Sequence, residues 1–393
     1  MASTSVQEIS TLDSTLASCR EIAQDPEFST AKRWLEEHPG KKAIGCFPIY
    51  CPIELIHASG MLPLGVIGAG NQIEITHADS RFQSFVCSIV KSTLELGLTQ
   101  RLKFLDGMLF HSICDPARNL ASVFQRNFPE MFVEYIHFPQ NFASVLARQY
   151  LETEYRRILQ GLQQRSGHTP TTEDLNHSIG LYNRIRAALR KIYQIRTDTP
   201  HLISAAESFV LMRAGTLMAP EDFLKILEQV LAEIPQRPSR PKDRIRVVLE
   251  GSFCELPPVG LIETLEQAGC YIVDDDFLRG WRWFTDDVPI QDSPLAALAE
   301  SYSERAYYSG TKHDTRETKA AHLIRLAKEK KADAVVFQAA KFCEPALFDY
   351  ALYRKALEDA QIPHLLLEFE EKTWSFDRAR SEAETFVESL LFD

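Results

Sequence analysis

The chain has 393 residues, of which 45% are hydrophobic and 25% are charged. This composition is typical of a globular protein, and the length favours two domains over a single core. The formal net charge of -11 argues against nucleic acid as a partner, because no basic tract is present to neutralise phosphates. The sequence shows no signal peptide and no apolar run near the roughly 18 residues that cross a bilayer. We therefore expect a cytoplasmic protein without a membrane segment.

The first part of the chain predicts a helical N-terminal segment over residues 1–40 and an α/β domain over residues 41–140. Its strands are predicted from four short apolar runs, at residues 43–47, 62–67, 106–110 and 131–136. Helical spacing separates these runs, and the helix predicted over residues 81–98 contains Cys87 near its middle. The alternation of strand and helix predicts a doubly wound domain with a mostly parallel sheet.

The second part of the chain repeats this alternation after a helical stretch. Residues 141–233 are interpreted as helical and attached to the first domain. Residues 234–242 hold three prolines and form the predicted linker, and residues 243–393 predict a second α/β domain. We therefore predict two doubly wound domains of flavodoxin or Rossmann type, with parallel sheets, joined by a helical segment.

Cysteine is the residue type that points most clearly to chemistry. The chain contains eight cysteines: Cys19, Cys46, Cys51, Cys87, Cys114, Cys254, Cys270 and Cys343. None of them forms a CxxC pair, so any metal site must be assembled from distant segments. Scattered cysteines in a chain that we expect in the cytoplasm also argue against a disulfide framework.

Two of these cysteines lie in matching motifs. Ile113-Cys-Asp-Pro-Ala117 and Phe342-Cys-Glu-Pro-Ala346 each follow a predicted buried strand and precede a predicted helix. Open α/β sheets bind their ligands beyond the carboxyl ends of strands, and a helix N-terminus stabilises a thiolate. We therefore expect Cys114 and Cys343 to face each other across an interdomain cleft.

A third soft ligand is needed for a metal site, and Cys87 is the best candidate because it precedes Cys114 in the same domain. Cys46 and Cys51 are weaker rivals, whereas Cys254, in a proline-rich turn after a predicted strand, is a real competitor. The two remaining cysteines, Cys19 and Cys270, are assigned to packing.

Three cysteines without a fourth leave several kinds of site open. They suit a [4Fe–4S] cluster with one open iron, or a zinc site with three thiolates. A catalytic cysteine–histidine pair that uses His111 or His57 is a further option. Glu54 stands at a predicted helix start, where a carboxylate either stabilises the helix dipole or performs acid–base work.

Four motifs resemble those of one known family. The run Phe47-Pro-Ile-Tyr-Cys-Pro-Ile-Glu-Leu-Ile-His-Ala-Ser-Gly-Met-Leu-Pro63 resembles the opening motif of the benzoyl-CoA reductase and 2-hydroxyacyl-CoA dehydratase family. The other three are Ser84-Phe-Val-Cys-Ser-Ile89, Ser112-Ile-Cys-Asp-Pro-Ala-Arg118 and Lys341-Phe-Cys-Glu-Pro345. The resemblance extends over residues 40–393 and is greatest to the small, cluster-bearing C-type subunits of ATP-dependent, class I reductases.

The resemblance implies one [4Fe–4S] cluster per chain, ligated by Cys87, Cys114 and Cys343 in the interdomain cleft. It also implies a heterotetramer that includes a homologous sister subunit with its own cluster. An ATPase pair would inject electrons taken from reduced ferredoxin. Because this chain has no GxxxxGK[ST] loop, we expect ATP and magnesium to be used by the partner subunits.

The implied activity is the reduction of benzoyl-CoA to a cyclohexadienoyl-CoA during anaerobic degradation of aromatic compounds. Single electrons would pass from the cluster to the aromatic thioester, and protonation would occur between electron transfers. His57, Glu54 and His111 are the candidate proton donors, by position alone. Two alternatives stay open: a subunit of a 2-hydroxyacyl-CoA dehydratase, and an electron-relay subunit without substrate turnover.

Overall fold

The computed structural model describes residues 11–47, 50–139, 141–142, 144–251, 255–277, 286–305, 317–370 and 375–392. Within these ranges the chain forms two four-stranded parallel sheets, with helices between successive strands. The predicted fold class of two doubly wound α/β domains is therefore confirmed.

The first sheet follows two N-terminal helices, α1 (Thr11–Ala23) and α2 (Ser29–Glu37). Its strands are β1 (Ala43–Phe47), β2 (Leu62–Gly65), β3 (Gly107–His111) and β4 (Phe132–Ile136). They pair in the order β2-β1-β3-β4, and every pairing is parallel. The helices between them are α3 (Ile53–Ala58), α4 (Ser88–Leu98) and α5 (Asp115–Asn127). Both central strands are buried at every position, as expected for a sheet covered on both faces.

The helix predicted over residues 81–98 is wrong in its first part. A short 3₁₀ turn ends at Arg81, and α4 begins only at Ser88, so Cys87 is the N-cap of the helix rather than its middle. The carboxylate of Glu255 accepts a hydrogen bond from the N–H of Ile89, which fixes the first turn at this point. The apolar residues before Cys87 have the spacing expected of a helix, but they do not form one.

Four helices connect the two sheets: α6 (Ala147–Ser166), α7 (Thr172–Asp198), α8 (Ala205–Gly215) and α9 (Pro220–Glu233). Two of them begin with capping boxes, in which Thr171 and Ser204 accept hydrogen bonds from the N–H groups of Asp174 and Glu207. Apolar side chains of α8 pack into the core of the second sheet, so this helix joins the two halves of the molecule. The predicted domain boundaries stay a prediction.

The second sheet repeats the topology of the first. Its strands are β5 (Ile245–Glu250), β6 (Cys270–Asp274), β7 (Ala334–Ala340) and β8 (His364–Phe369), in the order β6-β5-β7-β8. The accompanying helices are α10 (Val259–Gln267), α11 (Pro294–Glu304), α12 (Lys319–Glu329), α13 (Glu344–Asp359) and α14 (Asp377–Leu391). In the ranges that the structure describes, no helix has the length and apolar character needed to cross a membrane.

A buried ion pair joins α3 to α7. Arg186 Nη1 lies 2.6 Å from Glu54 Oε1, and neither side chain is more than 1% exposed. The hydroxyl of Ser178 also donates a hydrogen bond of 2.9 Å to the backbone carbonyl of Glu54. These contacts hold the short helix α3 against the long helix α7.

Replacing Arg186 by methionine should lower the free energy of unfolding by about 3–5 kcal/mol, because the Glu54 carboxylate would then be buried without its cation. Chemical denaturation of the parent and the variant measures this difference. The double substitution Glu54→Leu with Arg186→Met removes both charges and should recover most of the loss. A single variant as stable as the parent would contradict this role of the ion pair.

Candidate functional site

Two cysteines occupy equivalent positions in the two sheets. Cys114 lies three residues beyond the end of β3 and is the N-cap of α5. Cys343 lies three residues beyond the end of β7 and is the N-cap of α13. Strands β3 and β7 hold the same place in their sheets, beside the point at which the strand order reverses. Ligands of open α/β sheets bind at such switch points.

Cys87 joins these two cysteines from the N-terminus of α4. Burial raises the pKa of Cys87 well above its usual range, and Coulombic repulsion from Glu255, Cys343 and Cys114 raises it further. Repulsion from Cys114 likewise contributes to the raised pKa of Cys343. The three thiols, which are far apart in the sequence, are therefore close enough to interact electrostatically.

The surroundings of the three thiols shift the three pKa values in the same directions. Burial raises the pKa of Cys343 to about 12 and also raises the pKa of Cys114. In the opposite direction, each cysteine pKa is lowered by the backbone N–H of the residue three positions later, which is Val90, Ala117 or Ala346. The free thiols are thus protonated at neutral pH. If a metal cation displaced these protons, the helix N-termini would stabilise the resulting thiolates.

Glu255 connects the second domain to the first turn of α4. Its carboxylate accepts a hydrogen bond from Ser88 Oγ, and a second one of 3.1 Å from the N–H of Ile89. A carboxylate at this position satisfies N–H groups that lack partners inside the helix, and it is favoured by the helix dipole. The contact fixes Cys87 relative to the second domain. Because Glu255 is 167 positions from Ser88, no local sequence signal could identify it.

The other cysteines are packed in the core or lie outside the described residues. Cys46 and Cys51 form a buried pair, in which burial and a hydrogen bond with Cys51 raise the pKa of Cys46. Cys19 and Cys270 are each 1% exposed within apolar clusters. Cys254 lies outside the residues that the structure describes. Among those that it describes, no three histidine, cysteine or acidic side chains converge on the position of a single metal ion.

A cavity of about 640 Å³ lies beside Cys114. The turn that carries this cysteine and the segment after β4 form its walls, with polar and aromatic residues that include Ser112, Arg118, Tyr135, His137, Asn141 and Tyr150. Pockets that bind small organic ligands have volumes of roughly 300–1,000 Å³. The cavity is therefore large enough for a small organic group next to the cysteine site.

Two residues of this cavity were not identified from the sequence. Burial raises the pKa of Tyr135, so its hydroxyl retains its proton at neutral pH. The rings of Tyr135 and His137 contact each other edge to face, with centroids 4.8 Å apart. Both lie at the carboxyl end of the edge strand β4. The alternating sequence pattern there predicts a strand but does not indicate functional residues. In the sequence, only their position at the end of a predicted strand could have marked them as candidate site residues.

Two of the three predicted proton donors are engaged in other contacts. The ring nitrogens of His57 lie 2.9 Å from Ser178 Oγ and 2.9 Å from Glu221 Oε1. Glu54 is paired with Arg186. Neither His57 nor Glu54 lines the cavity beside Cys114. Their roles as proton donors stay predictions.

The third predicted donor, His111, is the last residue of β3 and lies three positions before Cys114. Its ring is packed edge to face against Tyr50 and Phe138, with centroid distances of 5.7 Å and 5.5 Å. Burial lowers the pKa of His111 to about 3, so the ring is neutral at physiological pH. His111 does not line the cavity beside Cys114, and its role as a proton donor stays a prediction.

These features define a two-domain α/β protein with a cysteine site at three helix N-termini. A family model described as 2-hydroxyglutaryl-CoA dehydratase, D-component, matches residues 48–390. The chain belongs to this family.

Several relatives match nearly the whole chain. The C-type subunit of benzoyl-CoA reductase from Thauera aromatica is 36% identical over 95% of this chain and 97% of its own length. The (R)-phenyllactyl-CoA dehydratase beta subunit of Clostridium sporogenes is 29% identical over 94% of this chain and 97% of its own length. The beta subunit of (R)-2-hydroxyglutaryl-CoA dehydratase from Acidaminococcus fermentans is 29% identical over 94% of this chain and 97% of its own length. The chain is thus similar to subunits of redox and dehydratase enzymes.

The buried ring of His111 should make the chain less stable in acid. The unfolded chain binds a proton near the ordinary histidine pKa of 6.5, whereas the folded chain does not do so until about pH 3. Stability should therefore fall as the pH drops through 6.5, by about 2 kcal/mol at pH 5. In His111→Phe, denaturant titrations between pH 7 and 5 should show a flatter pH-dependence by about this amount.

His201→Phe is the matched control, because it removes a partly exposed histidine ring that forms no ion pair among the described residues and lies outside the cysteine site. This variant should keep the parental pH-dependence. A parental slope in His111→Phe would show that the buried ring does not contribute to acid sensitivity.

Proposed function

We propose that this chain is the cluster-bearing subunit of an ATP-dependent benzoyl-CoA reductase, which reduces benzoyl-CoA to a cyclohexadienoyl-CoA in anaerobic degradation of aromatic compounds. The observation that carries the proposal is the 36% identity to the benzoyl-CoA reductase subunit of Thauera aromatica. The dehydratase beta subunits are 28–29% identical over a similar length. The reductase is therefore favoured over the dehydratase as the activity of this chain.

In this proposal Cys87, Cys114 and Cys343 bind one [4Fe–4S] cluster. The donor set supports it, because three thiols from three helix N-termini interact electrostatically with one another. Each ligand of such a cluster binds a different iron, so the sulfur atoms need not converge on one ion position. When bound, the cluster would supply single electrons of low potential and leave one iron without a cysteine ligand.

The cavity beside Cys114 is the proposed site for the thioester end of the substrate. A cavity of about 150 Å³ is enough to hold benzene. The volume of about 640 Å³ therefore leaves room for a benzoyl ring with its thioester. The guanidinium of Arg118 lines this cavity and would stabilise negative charge that develops on the thioester during reduction.

Tyr135 and His137 are added to His57, Glu54 and His111 as candidate proton donors. They are favoured because both line the cavity, whereas His57, Glu54 and His111 do not. The hydroxyl of Tyr135 holds a proton at neutral pH, as tyrosine ordinarily does, and burial raises its pKa further. A donor that is already protonated at the operating pH is what stepwise protonation of a reduced ring requires.

The proposal also includes partner subunits: a homologous sister subunit with its own cluster, and two ATPase subunits that use ATP with magnesium and accept electrons from ferredoxin. Apolar side chains are exposed next to two of the ligand cysteines, since Phe85 is 63% exposed and Phe342 is 41% exposed. Others are exposed near the cavity and on α13: Val145, Leu146, Phe348 and Leu352. Exposed apolar patches commonly mark subunit interfaces, so we assign this face to the sister subunit.

Iron analysis tests the proposed ligands. Anaerobically purified parent protein should contain about four iron and about four sulfide per chain. Each of Cys87→Ala, Cys114→Ala and Cys343→Ala should lose most of this iron and the electron paramagnetic resonance signal of the reduced cluster. The control is Cys270→Ala, which removes a buried cysteine of β6 and should retain the iron. Parental iron in all three ligand variants would refute the assignment, and bound zinc in place of iron would favour the three-thiolate zinc site.

Turnover by the native complex tests the reaction. Benzoyl-CoA should be converted to a cyclohexadienoyl-CoA only when both a reductant (ferredoxin or dithionite) and ATP are present, as measured by mass spectrometry of the thioesters. Dehydration of a 2-hydroxyacyl-CoA without conversion of benzoyl-CoA would identify the dehydratase instead. Full ring reduction by a complex that contains Cys114→Ala would rule out a catalytic role for the cluster in this chain.

A further inference from the structure

Arg213 differs from the other buried arginines of the described chain. The others are Arg186 and Arg196, and Arg213 itself is 8% exposed. Arg186 forms an ion pair with the buried Glu54, and Arg196 forms one with the buried Asp275. Arg213, on α8, makes no ion pair with any carboxylate in the described part of the chain. Within that part it is a buried cation without a counter-ion.

Neutral groups hold only one end of this guanidinium. Nη1 donates hydrogen bonds of 2.8 Å to the carbonyl of Gly65 and to Thr216 Oγ1. Nε and Nη2 donate to no acceptor among the residues that the structure describes. Burial lowers the pKa of Arg213 to about 9, which leaves the group protonated at neutral pH.

Arg213 lines a cavity of about 180 Å³ between α4, α8 and the loop after β2. Since a cavity of about 150 Å³ holds benzene, this volume suits a small ion or fragment and excludes a whole CoA thioester. The loop wall contains Gly68 in the left-handed region, with φ of 72°, and a Cβ there would lie 2.2 Å from Ser92 Oγ. Glycine therefore allows the loop to approach α4 and close the cavity.

Three carboxylates also line this cavity, but each is engaged by other groups. Asp25 accepts hydrogen bonds from the backbone N–H groups of Glu27 and Ser29. Glu370 lies 3.2 Å from Lys341 Nζ, and Glu255 caps α4. Because none of them pairs with Arg213, the charge of the guanidinium is not neutralised from within this wall.

We propose that the cavity binds a small oxyanion, a phosphate or carboxylate group, on the free edge of the Arg213 guanidinium. The planar guanidinium presents paired N–H donors that match the two oxygens of such a group. An isolated buried charge is unfavourable, so the anion would complete the pairing found at Arg186 and Arg196. The proposal does not depend on the reductase activity, because this site shares no residue with the cavity beside Cys114.

Calorimetric titration of the anaerobic native complex tests this site, with potassium phosphate and sodium acetate as probes at constant ionic strength set by chloride. At least one of the two anions should bind once per chain, and Arg213→Met should weaken its binding about tenfold or more. Arg213→Lys keeps the charge but loses the paired donors, so it should bind with intermediate affinity. No saturable binding of either anion, or parental affinity in Arg213→Met, would overturn the proposal.

A second pair of variants leaves Arg213 intact, in case its replacement prevents folding. Gln72→Glu adds a negative charge at the exposed rim of the cavity and should weaken anion binding about threefold. Gln164→Glu adds the same charge at an exposed position of α6 and should bind like the parent. Equal affinities in these two variants would also overturn the proposal.

A third probe, adenosine 3′,5′-bisphosphate, identifies the source of the oxyanion. Tighter binding than inorganic phosphate, lost in Arg213→Met, supports a phosphate carried by a nucleotide. Binding weaker than that of the simple anion supports a free oxyanion. Bisphosphate binding that is tighter than phosphate yet unchanged in Arg213→Met would count against Arg213 as the anion-binding group.

Discussion

The contact between Glu255 and the first turn of α4 is the constraint on which the cysteine group depends. Cys87 and Cys114 belong to the first domain and Cys343 to the second, so neither sheet alone can fix the distances among them. Glu255 accepts hydrogen bonds from both a side chain and a backbone N–H of α4. Two acceptor contacts define the position and direction of the helix start. The second domain thereby holds the helix start that carries Cys87.

The repeated strand order supplies the rest of this geometry. In each sheet the third strand in sequence pairs with the first, and a cysteine lies three residues beyond its end. The same backbone path therefore delivers Cys114 and Cys343 to helix N-termini on equivalent sheet edges. Helix dipoles and free N–H groups at these termini favour negative charge, which partly offsets the cost of burying thiolates. The same local arrangement, a cysteine at the N-cap of a helix, therefore occurs three times in the site.

Much of the fold follows from the sequence, because buried parallel strands leave apolar runs that alternate with helical spacing. The matching motifs around Cys114 and Cys343 were also recognisable, since strand, turn and helix start are local features. The position of Cys87 was predicted wrongly, because Glu255 of the other domain determines where α4 begins. Arg213 could not be identified from the sequence, because what distinguishes it is a feature of the folded structure: it is buried without a carboxylate partner among the described residues.

Similarity to both reductase and dehydratase subunits means that the scaffold alone does not separate the two reactions. In the proposed function, the side chains around the cavity beside Cys114 would decide what happens to a bound thioester. Ring reduction adds protons to a centre that becomes negatively charged, which requires a protonated donor and a nearby cation. Tyr135 and Arg118 supply these two properties in one cavity. In the proposed function, this combination adds a chemical argument for reduction to the argument from sequence identity.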